Sequence, residues 1–179
     1  MQYQSAFPRD ANGVPDASHG VLSTTKHNLT GNNTTVHDPL FTVTGSIEVL
    51  GLWGVVTVAL GANNTAAYWR GNDATNTPAI TLATGTTLSS AGVGAVIAKR
   101  GLAAAALTLV NSDQMRISEP TTLETTFFSP FVLNALNGTT SNIEFVYATT
   151  DTPTSGQIQF FLRWLPLSQT SQVTALTSL

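Results

Sequence analysis

The sequence predicts an all-β protein: a β-sandwich, jelly roll or small barrel of about 8–10 short strands with an extended N-terminal arm. Three observations predict it. Apolar and polar residues alternate over several segments with the period of two that buries one face of a strand. Clusters of Gly, Asn, Thr and Pro interrupt those segments roughly every 8–12 residues, the spacing of turns in sandwiches and barrels. Threonine supplies 29 of the 179 residues and valine is also abundant, which suits pleated surfaces.

Residues 1–40 read as the arm. They hold Pro8, Pro15 and Pro39, all three histidines, and isolated apolar residues with no sustained period. Such a segment buries too little apolar surface to offset its own ordering entropy. It is either a flexible leader or an arm ordered on another surface; Phe7, Val21 and Leu22 supply anchors that a bare linker lacks.

The β-rich body spans residues 41–167. Phe41, Val43, Ile47 and Val49 alternate with Thr42, Thr44, Ser46 and Glu48 in a half-buried strand. Residues 52–60 form a more continuously apolar strand, closed by the turn Gly61-Ala62-Asn63-Asn64. Residues 66–70 make a short strand in which Tyr68 and Trp69 point to opposite faces, and residues 79–83 make another. The alanines of 102–107 suit a helix by propensity, yet Gly92, Gly94 and Gly101 break any long one; strands are expected at 93–98 and 104–110, with one short helical turn between them. Strands at 122–128, 131–134, 142–148 and 156–165 complete the body. In the last, Ile158, Phe160, Leu162 and Trp164 face one way, while Phe161 lies among the polar Gln157, Gln159 and Arg163. The uncharged tail, 168–179, is expected to fray or to dock on a neighbour.

Composition narrows the function. Charged residues make up 9% of the chain, against about 25% in an ordinary soluble domain. A net charge of −3 with seven Lys and Arg argues against nucleic-acid binding by phosphate neutralisation. The absence of cysteine removes disulfide scaffolds, zinc-thiolate sites and cysteine nucleophiles. The most apolar long window, 93–110, is broken by Lys99, Arg100 and Gly101, so no membrane span is expected. The first ten residues lack the basic and apolar regions of a secretory signal, so synthesis in a cytoplasm is expected. So few charges suggest that much of the surface is hidden in a permanent assembly, for which a closed homo-oligomer is the default.

No catalytic, cofactor or metal site is expected. His19, His27 and His37 lack the tight spacing of a ligand set and read as scattered polar residues of the arm rather than a metal cluster or pH switch. No G-x-S-x-G elbow accompanies them. Glu48, Glu124 and Glu144 alternate with apolar neighbours, so they face outward, toward solvent or another subunit, rather than forming a hydrolytic pair. Trp53, Tyr68, Trp69 and Trp164 suit either packing or a carbohydrate platform. Lys99-Arg100 marks a turn or an ion-pair donor to a partner. The candidate interface residues are Phe7, Arg9, Val21, Leu22, Tyr68, Trp69 and Arg100.

Three stretches carry a resemblance. They are Phe7-Pro8-Arg9-Asp10-Ala11-Asn12-Gly13-Val14-Pro15 followed by Gly20-Val21-Leu22-Ser23; the segment from Thr44 to Val56, with Leu50-Gly51-Leu52-Trp53-Gly54-Val55-Val56 at its end; and Ser155-Gly156-Gln157-Ile158-Gln159-Phe160-Phe161-Leu162-Arg163-Trp164-Leu165-Pro166-Leu167. Together they resemble segments of small virion structural proteins of tailed bacteriophages. The resemblance implies a non-enzymatic capsid decoration (cement) protein on the virion surface, β-rich and often trimeric. Its partners would be copies of itself and the major capsid protein, and it would stabilise the shell by bridging capsomers. The alternative is a tail- or fibre-associated carbohydrate-binding module that uses Trp69 and loop Asn and Asp residues.

Overall fold

The computed structural model describes residues 20–31, 33–62, 64–73, 80, 87–99, 108–110, 130–135, 141–149 and 155–177, with 108–110 as backbone only. Nine strands and no helix occur among them, so the all-β expectation holds. The strands are β1 (Val21–Asn28), β2 (Thr35–Val58), β3 (Asn64–Asn72), β4 (Val96–Ala98), β5 (Thr108–Val110), β6 (Phe131–Ala135), β7 (Ser141–Thr149), β8 (Gln157–Pro166) and β9 (Gln172–Ala175).

The architecture is organised by β2, which at 24 residues is long enough to serve two sheets. Its first half pairs with β7 over residues 35–43 and with β9 over 41–44; β3 adds outside β7. Its second half pairs with β8 over residues 47–58, with β6 over 45–49 and with β4 over 53–55; β1 adds outside β8, and β5 outside β4. All of these pairings are antiparallel. The junction lies near Gly45, whose φ of +72° is a left-handed conformation that favours glycine.

The two sheets close on one core. Phe145 of β7 meets Phe160 of β8 at 5.0 Å between ring centroids, and Trp69 of β3 packs on Phe145 at 5.6 Å. Leu40, Phe41, Val43, Ile47, Leu52, Ile97, Ile143 and Ile158 fill the space around these rings. Burying a side chain of this size contributes about 1.5–3 kcal/mol.

Bulges keep the apolar residues inward. A strict alternation that faces Phe41, Val43, Ile47 and Val49 to the core would send Trp53 and Val55 inward as well. The pairing with β8 shifts between Val49 and Gly51, and the faces exchange there, so Leu52, Gly54 and Val56 become buried and Trp53 and Val55 point out. A second shift between Pro39 and Phe41 lets the adjacent Leu40 and Phe41 both be fully buried. A third, between Thr65 and Tyr68 in β3, turns Ala67 and Trp69 inward and leaves Ala66 with φ +52°.

Several boundaries differ from the sequence expectation. The expected arm of residues 1–40 is not an arm throughout: Val21–Asn28 is β1, and Thr35–Leu40 begins β2. Its apolar residues looked isolated because β1 is an edge strand that buries only alternate side chains, among them the polar Thr25 and His27. The strands expected at 41–50 and 52–60 are one strand, since Leu50-Gly51 makes a bulge rather than a turn. The tail does not fray between Gln172 and Ala175; it docks on β2 of its own chain. Of the strand expected at 79–83 only Ile80, a core residue, is described; residues 100–103, within the short stretch where the helical turn was expected, and the strand at 122–128 lie outside the described residues.

Two substitutions test this packing in opposite directions. A methyl group added at Gly54 would sit 2.8 Å from Ile158 Cγ2 and 3.1 Å from Phe160 Cδ1, so Gly54→Ala should destabilise the fold by about 1–3 kcal/mol. Ala66→Gly should stabilise it by up to about 1 kcal/mol, because glycine adopts the left-handed bulge conformation without a Cβ penalty. Urea unfolding of both variants measures the two changes.

Candidate functional site on the outer sheet face

The bulge in β2 places an apolar face on the outside of the sheet. Because neighbouring strands are in register, the outward residues form rows across β1, β8, β2 and β4. One row is Thr24, Phe161, Trp53 and Ala98. The next is Lys26, Gln159, Val55 and Val96. On the other side of the first row stand Leu22, Arg163 and Gly51, followed by Leu165, Glu48 and Val132 of β6.

At its centre Trp53 and Phe161 stack with centroids 5.3 Å apart and planes within 5°. The six-membered edge of the Trp53 indole lies over Gly51, where an added Cβ would be only 3.1 Å from the ring. Trp53 and Phe161 are half-buried, while Leu22 and Val132 are each 51% exposed. A soluble domain seldom keeps a contiguous patch of aromatic and aliphatic side chains in water unless it docks there.

Charge sharpens the same surface. Among the described Lys and Arg residues, Arg70 is engaged by Glu144 and Lys99 is buried near the Phe131 ring, whereas Lys26 and Arg163 are solvent-exposed. Both exposed cations flank the aromatic pair. With Glu48 one row beyond Arg163, the face has an apolar centre and a charged border, the arrangement of a protein interface.

The other sheet bears a polar outer face. Glu144 of β7 accepts a hydrogen bond from Arg70 Nε at 2.6 Å and one from Asn72 Nδ2 at 2.6 Å, and His37 Nδ1 lies 3.9 Å away. Glu144 therefore does face away from the core, as its alternation predicted, but it is 4% exposed and paired rather than solvated. A cavity of about 210 Å³ opens nearby, bordered by Asn72, Asp73, Asn134, Ser141 and Asn142.

His27 is a different kind of group. It is 1% exposed, and both ring nitrogens are occupied. Nδ1 lies 2.8 Å from Asp38 Oδ1; Nε2 lies 2.8 Å from the Leu176 carbonyl oxygen and 3.0 Å from Thr25 Oγ1. The Thr25 hydroxyl donates to the same Leu176 carbonyl. Burial pulls the His27 pKa down, but the hydrogen bond and charge of Asp38, with the Leu176 carbonyl, outweigh it and hold the ring above the ordinary histidine value. The order hydroxyl, imidazole, carboxylate is that of a nucleophilic relay. Here the Leu176 carbonyl takes the Thr25 proton and faces Nε2, so His27 is placed as a donor rather than as a base toward Thr25. The cluster joins β1, β2 and the segment after β9. A cavity of about 500 Å³ lies beside it, bordered by Thr30, His37, Asp38, Pro39 and Leu176.

The structure places the expected interface residues unequally. Leu22 lies on the outer face. Val21 is half-buried against Trp164, and Tyr68 is half-buried on the other sheet. Trp69 is fully buried in the core, which corrects its assignment to an interface: the β3 bulge aims it inward. Phe7, Arg9 and Arg100 lie outside the described residues. Lys99 is 3% exposed, and burial lowers its pKa. Sequence reading missed Val55, Val96, Lys26 and Arg163, and named Trp53 only as one of four rings suited to packing or a carbohydrate platform. The signal within reach was Phe161, an aromatic on the polar side of the strand.

No protein-family model, curated protein or solved structure matches the chain. The paired glutamate gives a local test. Glu144→Gln leaves Arg70 facing a neutral amide and should destabilise the fold by about 1–3 kcal/mol in urea unfolding, with no change in the secondary-structure signal before the transition.

Proposed function

We propose that this protein is a non-enzymatic structural component of a virion, a decoration or cement protein that docks through the outer face of the β1–β8–β2–β4 sheet. The observation that carries the reading is that face: a stacked Trp53–Phe161 pair among Val55, Val96, Leu22 and Val132, bordered by Lys26, Arg163 and Glu48. A chain with 9% charged residues that presents such a surface is suited to permanent assembly. The resemblance of its opening, its Thr44–Val56 segment and its last strand to tailed-phage virion proteins supplies the kind of assembly. The partners are other copies of this chain, as a homotrimer, and the major capsid protein. Surface buried between capsomers would raise the free energy needed to rupture the shell.

A second reading keeps the same residues. Aromatic rings flanked by side-chain amides also stack on sugar rings, and Gln157 and Gln159 lie on this face. The carbohydrate-binding alternative therefore moves from Trp69, which is buried, to Trp53.

Particles assembled with and without the protein distinguish the readings. The structural reading predicts that particles lacking it rupture at lower temperature. It also predicts that Trp53→Ala weakens attachment about 30-fold, as removal of a central aromatic costing about 2 kcal/mol would. Unchanged particle stability, together with glycan binding that Trp53→Ala abolishes, would overturn it in favour of the carbohydrate reading.

A further inference from the structure

The C-terminal strand is held by little apolar contact. Along β9 only Val173 packs on the core; Gln172, Thr174 and Ala175 are exposed. The ladder to β2 covers four residues, Phe41 to Thr44. The chain is then secured at one residue: Leu176 N–H donates to the Leu40 carbonyl at 2.9 Å, and the Leu176 carbonyl accepts from His27 and Thr25.

The groups around His27 dictate its protonation. From β2, Asp38 offers a carboxylate oxygen; from the C-terminal segment, Leu176 offers a carbonyl oxygen; both are acceptors. From β1, Thr25 contributes a hydroxyl whose proton is directed to Leu176. From β8, the Phe160 ring meets the imidazole edge to face and carries no charge. Tyr147 of β7 lies on the Asp38 side, its own pKa raised by burial, and its hydroxyl donates to the Thr30 carbonyl. His37 is 42% exposed and faces Glu144, and Lys26 points to the outer face of the sheet. Asp38 is thus the charged group in direct contact with His27 among the described residues. The doubly protonated ring satisfies both acceptors. A neutral ring in either tautomer sets a lone pair against an oxygen 2.8 Å away, at Leu176 or at Asp38.

We propose that the positive charge of His27 latches β9 and the residues after it onto the body, and that deprotonation of His27 releases this segment. Asp38 lies within β2, paired with β7, whereas Leu176 lies beyond a four-residue strand, so Leu176 is the partner that yields. The sign follows from the direction of the shift. His27 has a folded-state pKa above its ordinary value. Its contribution is therefore fully present below about pH 6.5 and is lost as the pH rises through the folded-state pKa. Release would uncover the β2 edge at Phe41–Thr44.

NMR on the full chain tests this. Ring-nitrogen shifts of His27 report its titration, and amide hydrogen exchange, corrected for the intrinsic pH dependence, reports the protection of Leu176. The expected result is a doubly protonated ring at pH 5 and a Leu176 protection factor that is flat there, falls by up to about tenfold per pH unit between about pH 6.5 and the His27 midpoint, and levels off above it. Asp38→Asn should move both midpoints to lower pH together. Protection that stays constant through the titration of His27 overturns the latch, as does a fall that does not move with Asp38→Asn.

Discussion

The structure depends on one strand keeping its apolar face inward while it serves two sheets. A strand alternates strictly, and a long strand crossing from one sheet to another cannot keep a single parity facing one core without interruption. In β2 the bulges near residues 40 and 50 supply the interruptions. Leu40 and Phe41 are both buried because of the first, and Leu52, Gly54 and Val56 are buried because of the second. The packing of Phe145 against Phe160, which joins the sheets, is built around this strand. So is the exposure of Trp53, since the shift that brings Leu52 in puts its neighbour out.

Core and outer face are thus consequences of the same irregularity. A bulge disrupts the ladder locally, and it is retained where it aims side chains. Here it assembles Trp53, Val55, Phe161 and Val96 into one outward surface that no regular strand with this sequence would present. The low charge of the chain takes on a location through it. Arg70 and Glu144 satisfy each other, Lys99 is buried, and Lys26 and Arg163 border the aromatic pair. Among the described residues, charge is therefore divided between pairing within the body and the border of an apolar face.

The fold class and the clearest strand were legible in the sequence because alternation is a local signal: Ile158, Phe160, Leu162 and Trp164 face the core as the pattern requires. Register shifts are not local signals. Leu50-Gly51 read as a break between strands, and Tyr68-Trp69 left open which ring is buried, because the bulge at Ala66 decides it. β1 was hidden for another reason. Its buried positions include Thr25 and His27, polar residues that are satisfied only by Asp38 and Leu176, 11 and 149 positions from His27 in the chain. A histidine that looks like one of three scattered polar residues becomes a buried cation only when those distant acceptors converge on it.

Docking as proposed would cover the outer face around Trp53 in the assembled state. The chain has three tryptophans; Trp69 is fully buried and Trp164 is 7% exposed, so collisional quenching by acrylamide reports mainly on Trp53. Quenching of the isolated protein and of the protein on assembled particles is the most direct comparison. A readily quenched component in the isolated protein should disappear on assembly. A component quenched equally well in both states would contradict the proposed docking.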